Sequence, residues 1–186
     1  MDGDPDKIPA EDLRLIRAAL SRSDDRSIVA LRHRVPNCGD AMSRVLRSIG
    51  DTTTNVPDAF EGRMQWGLEE QVKFMAAMGN GKLVSPQASS FLLRQMQPIA
   101  SQRWGLGIIG ASAFKPGWMN ARTESRQMGI VGDFAVALIT AGGDPNAPSD
   151  AMHASQLNRL ALLLATRIDE ARCFKSTIFS WQARWC

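Results

Sequence analysis

The sequence predicts an α+β domain in which a helical front half precedes three antiparallel strands and one final helix. Through most of residues 11–96, apolar residues recur every three to four positions, which is typical of amphipathic helices. After Trp104 the pattern changes to glycine-rich turns and two short runs rich in branched residues, RQMGIVG and FAVALIT, which are typical of strands. The last regular pattern, over residues 151–168, is again helical.

The front half divides into helices at clear stop signals. Residues 11–20 place Leu13, Ile16 and Leu20 on one face, and the polar run SRSDD at residues 21–25 ends this helix because short polar side chains favour caps and turns. The second helix is expected to carry Ile28 and Val35, with Leu31 between them, on one face. Three further helices are expected near residues 40–49, closed by a left-handed glycine at position 50, near 68–78 and near 86–96.

The rear half predicts a meander of three strands, near residues 110–115, 126–132 and 134–140. Gly132-Asp133 separates the last two and is expected to form a two-residue hairpin turn of the Gly-X kind. The run from Phe134 to Ile139 is almost wholly apolar, so this strand is expected to be covered on both faces.

Composition and charge narrow the function classes. A chain of 186 residues with 44% hydrophobic and 22% charged residues is typical of one globular domain. The net charge of +3 is spread along the chain, so no nucleic-acid partner is expected. No apolar run reaches the roughly 20 residues of a membrane span, and the acidic start lacks an export signal, so the chain as written is expected in the cytoplasm. Three scattered cysteines and two distant histidines predict no metal site.

Two short motifs could carry reaction chemistry. Ser23-Asp24-Asp25 lies at a break between two helices, where a hydroxyl can relay protons and Asp25 can order a substrate amide or a lysine; by itself Ser-Asp is an ordinary helix cap. Lys115-Pro116-Gly117 lies on a predicted strand, where an ammonium beside a glycine can pair with a substrate carboxylate close to the backbone.

In this order the two motifs resemble the S-D-N and K-T-G signatures of the class A β-lactamase-like group of penicillin-recognising serine hydrolases. The connecting sequence is similar too: LRSIGDTTT resembles the approach to that family's active-site loop, RWGL the approach to its lysine strand, and the tryptophan after Gly117 together with RQMGIVG an exported branch common in actinobacteria. The resemblance covers residues 11 to about 168; residues 1–10 are expected to be disordered, and no role is assigned to the tail, residues 169–186.

The resemblance implies roles for four residues and no metal or organic cofactor. Ser23 would relay a proton to the leaving nitrogen, and Lys115 would supply positive potential to the substrate carboxylate and to that serine. Asp25 would position the substrate side chain, and Gly117 would let the strand backbone hydrogen-bond an acyl substrate. The implied substrate is a β-lactam or a related amide or ester.

The sequence also differs from the family pattern at several positions. The S-x-x-K nucleophile, which in the family precedes S-D-N by several dozen residues, is not found in the 22 residues before Ser23, so the chain is expected to be inactive as it stands. Asp25 replaces asparagine and Pro116 replaces threonine. Glu61 lies in the loop that carries a family glutamate, at a different spacing.

Three interpretations therefore stay open at this level. The chain is the C-terminal portion of a β-lactamase-like hydrolase whose nucleophile comes from a missing segment, or a non-catalytic binding module that keeps the Lys115 carboxylate pocket, or an unrelated small α+β protein. In the first, FAVALIT is expected to be an apolar sheet edge, because the N-terminal strands of the family fold pair with the last strand.

Overall fold

The computed structural model describes residues 4–57, 64–118, 123–144, 146 and 149–182, with side chains described as far as Arg172. Six helices and three strands lie in these ranges. In chain order they are α1 Ala10–Arg22, α2 Asp25–His33, α3 Cys38–Ser48, α4 Leu68–Gly79, α5 Pro86–Gln95, β1 Ala113–Trp118, β2 Glu124–Val131, β3 Phe134–Ala141 and α6 Asp150–Gln182. The predicted fold class is confirmed.

The three strands form one antiparallel sheet in the order β1-β2-β3, so β1 and β3 are its two edges. Val131 pairs with Phe134 across the two-residue turn, and Gly132 has a φ of +57°, which suits glycine. The predicted hairpin is thus confirmed. The edge position predicted for the FAVALIT strand is also what the structure shows among the described residues.

Each face of the sheet has its own hydrophobic layer. On one face Phe114, Val136 and Leu138 pack with Leu157 and Ala161 of α6. On the other face Ala113 packs with Met75 of α4 and with Met96, and Met128 and Ala135 join them. Helices α4 and α6 both contact β3, so this strand is covered on both faces, as its apolar sequence predicts.

Three predicted helix details are wrong. The most buried residues of α1 are Leu15, Ala18 and Ala19 rather than Leu13 and Ile16, because small alanines let the helix approach its neighbours on that side; Leu20 does pack against the core, as predicted. Helix α2 ends at His33, and Val35 is 44% exposed.

The third concerns α6, which continues to Gln182, whereas its apolar stripe predicts an end near residue 168. No helix within the described ranges is long and apolar enough to cross a membrane.

A buried amide fastens the segment before β1 to the sheet. The side chain of Gln127 on β2 is fully buried; its Oε1 accepts from the Leu106 N–H at 2.7 Å, and its Nε2 donates to the Trp104 carbonyl at 2.9 Å. Gly105 lies between these two residues with a φ of +61°, and a Cβ atom there would lie 2.8 Å from Gln127 Cδ. The glycine is required by both its conformation and this close approach.

Candidate functional site

The break between α1 and α2 is a strained turn that exposes a serine hydroxyl. Ser23 caps α1 in the left-handed conformation, with φ 54° and ψ 42°, an arrangement that costs a non-glycine residue free energy. The next residue, Asp24, caps α2: its carboxylate accepts from the Ser27 N–H at 2.8 Å, and hydrogen bonding by Ser27 lowers the pKa of Asp24. The N-terminus of α2 is therefore capped by Asp24 and not by Ser23 or Asp25.

Strand β1 brings Lys115 to that turn. Residues alternate along a strand, so Lys115 lies on the same face as Ala113, towards the helical half of the molecule. Lys115 Nζ donates a short hydrogen bond to Ser23 Oγ and a second, of 2.9 Å, to the Pro116 carbonyl. Two residues 92 positions apart in the sequence therefore share one site.

Burial changes the acidity of this lysine. Desolvation lowers the pKa of Lys115 from 10.5 to about 8, and the negative charge of Asp25 opposes that shift. A substantial fraction of Lys115 is therefore neutral near pH 8, in contrast to an exposed lysine. A neutral amine can accept the proton of the Ser23 hydroxyl, so the direction of the hydrogen bond depends on pH.

The other two residues singled out from the sequence lie on either side of this pair. Asp25 is exposed at the first position of α2, close enough for its charge to act on Lys115. Gly117 pairs with Arg126 on β2, and a Cβ atom at Gly117 would meet only Arg126 Cγ, at 3.7 Å. Neither neighbouring packing nor a positive φ requires glycine here, so the strand surface at Gly117 is open to an approaching molecule.

Pro116 lies on β1 at a position where proline removes no hydrogen bond between β1 and β2. The Phe114 N–H donates to the Met96 carbonyl at 3.0 Å, so the backbone at position 114 faces away from β2. The backbone at position 116 faces the same way, because hydrogen-bonding direction alternates along an edge strand. The N–H that proline lacks would thus point outwards, which is where edge strands tolerate proline.

One S-x-x-K spacing occurs later in the chain than the family motif would lie. Ser112-Ala113-Phe114-Lys115 has this form, although no such spacing precedes Ser23. Ser112 is exposed just before β1, and its Oγ lies 3.4 Å from the Ile130 carbonyl. Residues three apart on an extended chain point to opposite sides, and Lys115 Nζ contacts Ser23 instead. The spacing therefore does not make a nucleophile-lysine pair within this strand.

An open cleft of about 760 Å³ lies beside Arg126, the cross-strand partner of Gly117, and was not predicted from the sequence. Its walls are the described parts of the loop before α4, residues 53–57 and 65–67, and the side chains of Glu124 and Arg126 on β2. Arg126 is held in place, since it donates to the Trp66 carbonyl at 3.1 Å and to Glu124 at 2.8 Å. The alternation of polar Glu124 and Arg126 along a strand was the available signal for a polar wall.

The loop wall is fixed by a buried aspartate. Asp51 is fully buried, and one of its carboxylate oxygens accepts from the N–H groups of Thr53 and Thr54 at 3.1 and 2.9 Å. Desolvation raises the pKa of Asp51, but the hydrogen bonds of Thr54 and Thr53 and the charge of Arg47 outweigh it, so the net shift is downwards. Glu61, which the resemblance places in this loop, lies outside the described residues.

The comparisons with known proteins agree with this architecture. No family model and no curated protein sequence matches the chain. Among solved structures, PBP-A superposes with a TM-score of 0.66 at 16% identity over 86% of this chain. The chromosome-encoded β-lactamase of Vibrio parahaemolyticus gives the same three values.

The chain has a β-lactamase/PBP fold. The β-lactamase of Sphaerobacter thermophilus DSM 20745 is similar as well, with a TM-score of 0.60 at 18% identity over 83% of this chain. In each case the fold is shared over only part of the relative: the chain spans 62% of PBP-A and of the Sphaerobacter β-lactamase, and 65% of the Vibrio β-lactamase.

Proposed function

We propose that this chain carries part of a serine acyl-transfer site for a β-lactam or a related amide or ester. The observation that supports the proposal is the direct contact between Lys115 Nζ and Ser23 Oγ. In a fold shared with two β-lactamases and PBP-A, that contact joins the residues that match the S-D-N and K-T-G motifs. The sequence similarities around Gly117 and in RQMGIVG further suggest the exported actinobacterial branch.

In this proposal Ser23 relays a proton towards the leaving nitrogen, and the ammonium form of Lys115 pairs with the substrate carboxylate. Gly117 leaves room for the acyl group of the substrate to lie along the open edge of β1. The side chain of the substrate then enters the neighbouring cleft. Asp25 accepts a hydrogen bond from a substrate amide N–H, the one role open to a carboxylate at this position. No metal or organic cofactor takes part.

Turnover by this route needs a nucleophilic serine with its own base, and the part of the chain that the structure describes places none on a helix beside Lys115. A segment that supplies it would also pair with the open edge of β3, which the family fold uses for its N-terminal strands. The position of the Lys115 amine beside Ser23 also favours a second candidate. This is a binding module that holds the carboxylate of an acyl ligand at Lys115 without turnover.

A fluorescent penicillin tests the proposal. We expect reversible binding to the wild-type chain, and about tenfold to hundredfold weaker binding by Lys115→Met, the range expected for loss of one charge-assisted hydrogen bond. The matched control is Lys82→Met, which removes the same charge from an exposed position and leaves binding unchanged. Equal binding by all three proteins would refute the carboxylate site at Lys115, and binding by none of them would refute the assignment of the ligand class.

A further inference from the structure

We propose that Ser23 is itself a nucleophile, with Lys115 as its general base, and that the pair reacts with small activated acyl or phosphonyl electrophiles. This activity differs from the proposed relay role of Ser23 and does not depend on β-lactam binding. It gives the chain a covalent chemistry of its own, in the absence of a serine from any other segment.

The first support is geometric. A serine hydroxyl is inert unless a base lies within hydrogen-bonding distance, and Lys115 Nζ is in hydrogen-bond contact with Ser23 Oγ. The second hydrogen bond of Nζ, to the Pro116 carbonyl at 2.9 Å, fixes the amine in this position. Serine-lysine pairs are an established variant of the nucleophile-base arrangement.

The second support is the backbone. The left-handed conformation of Ser23 holds its side chain at the tip of a tight turn, partly exposed, where an electrophile can approach. Directly after it, the first N–H groups of the nine-residue helix α2 have no carbonyl partner inside the helix. The Ser27 N–H is taken by Asp24, so in this proposal it is the N–H groups of Asp25 and Arg26 that stabilise the developing oxyanion.

The third support is the charge environment, which permits a neutral amine. Burial lowers the pKa of Lys115 to about 8, and Asp25 is the one charged residue whose field moves it in the opposite direction. The elements around Lys115 also carry other charged residues, among them Arg22 on α1, Asp24 before α2, Arg26 on α2, Lys73 paired with Glu69 and Glu70 on α4, Arg94 on α5, and the Arg126–Glu124 pair on β2.

The reaction step balances without a further reactant. The neutral amine of Lys115 takes the proton of the Ser23 hydroxyl as Oγ bonds to the phosphorus of a fluorophosphonate. The phosphorus-fluorine bond breaks, and fluoride leaves with its electron pair. The proton then passes from the Lys115 ammonium to solvent, which leaves a stable phosphonyl-serine.

The test is labelling of the full chain by an alkyl fluorophosphonate between pH 6 and pH 10, with the labelled peptide located by mass spectrometry. We expect one label, on Ser23, at a rate that rises with pH around a midpoint of about 8. Ser23→Gly abolishes the label and suits the positive φ of this position. Lys115→Met slows labelling about 100-fold or more, as loss of a general base does.

Two controls and one titration variant complete the design. Ser21→Ala and Ser112→Ala remove nearby hydroxyls that lie outside the pair, and both label like the wild type. Asp25→Asn removes the charge that raises the pKa of Lys115, so it moves the midpoint to lower pH, an effect that a structural role would not produce.

Circular dichroism checks that each variant is folded; if Ser23→Gly is not, the Lys115→Met and Asp25→Asn measurements decide. A label on Ser112 or elsewhere, a rate independent of pH, or no label on Ser23 at pH 9 would overturn the proposal. Penicillin binding without Ser23 labelling would overturn it while leaving the proposed function intact.

Discussion

Two of the long-range polar contacts that reach the sheet are built in opposite ways. Gln127 joins β2 to residues 104–106 through a side chain that is fully buried and has both its ends hydrogen-bonded. Lys115 joins β1 to Ser23 through a partly exposed ammonium whose pKa is shifted and whose partner has a strained backbone. The first contact satisfies its polar groups completely and stabilises the fold; the second keeps groups reactive at some cost in stability.

The largest difference is expected at the Gln127 contact. Gly105→Ala adds a side chain at a positive φ and forces it against Gln127, so we expect a loss of about 3 kcal/mol or more in the free energy of unfolding. Gly50→Ala is the matched control, because its φ is +84° but nothing lies within 4 Å of the added Cβ; it should cost about 1 kcal/mol. Urea denaturation measures both, and equal losses would contradict the close approach.

Next in size is Gln127→Leu. It leaves the buried Leu106 N–H without its partner and removes one of the two hydrogen bonds to the Trp104 carbonyl, so the free energy of unfolding should fall by about 2 to 4 kcal/mol. Gln87→Leu, on an exposed position of α5, should change it by less than about 0.5 kcal/mol. The folded fraction of Gln127→Leu should still label at Ser23; loss of labelling would mean that the two contacts are coupled.

A smaller effect reports the strain at Ser23. Ser23→Gly and Ser23→Ala both remove the hydroxyl, but only glycine relieves the positive φ. We expect Ser23→Gly to be the more stable of the two by about 1 kcal/mol in thermal or urea unfolding. Equal stabilities would show that the turn relaxes and that no strain is held at the site.

The last effect concerns pH. The pKa of Lys115 is lowered in the folded protein, so between about pH 8 and pH 10.5 the unfolded chain binds more protons than the folded one. The free energy of unfolding should therefore gain a contribution that rises with pH through this window. The contribution should vanish in Lys115→Met and persist in Lys82→Met, as followed by urea titrations at several pH values.

Local chemistry was enough to predict some of these features. The hairpin at Gly132-Asp133 depends on four consecutive residues, and the end of α3 at Gly50 on a single one, so both could be predicted from sequence. The face of α1 could not, because periodicity gives the angle of a stripe and not which neighbours cover it. In the structure the smaller Ala18 and Ala19 are buried, whereas Leu13 and Ile16 are not among the buried residues.

The candidate site could not be predicted from local sequence features in this way. Nothing local places Lys115 beside Ser23; that pairing was suggested by the order of two motifs resembling a known family, and the topology then brings the residues together. The cleft beside Arg126 was missed because its two walls come from a loop and a strand about 60 residues apart, joined by the Arg126–Trp66 hydrogen bond. The sequence indicated a helix cap in Ser23-Asp24-Asp25 but not that Asp24 provides it, because three adjacent polar residues can each serve as the cap.

The open edge of β3 has a practical consequence. Strand β2 separates β3 from β1, so any strand added there enlarges the sheet in the direction away from the Lys115 amine. A separately expressed polypeptide that docks at this position would therefore join the molecule without crowding the reactive end. Pairing at the edge of β3 and chemistry at Lys115 could therefore be engineered independently of each other.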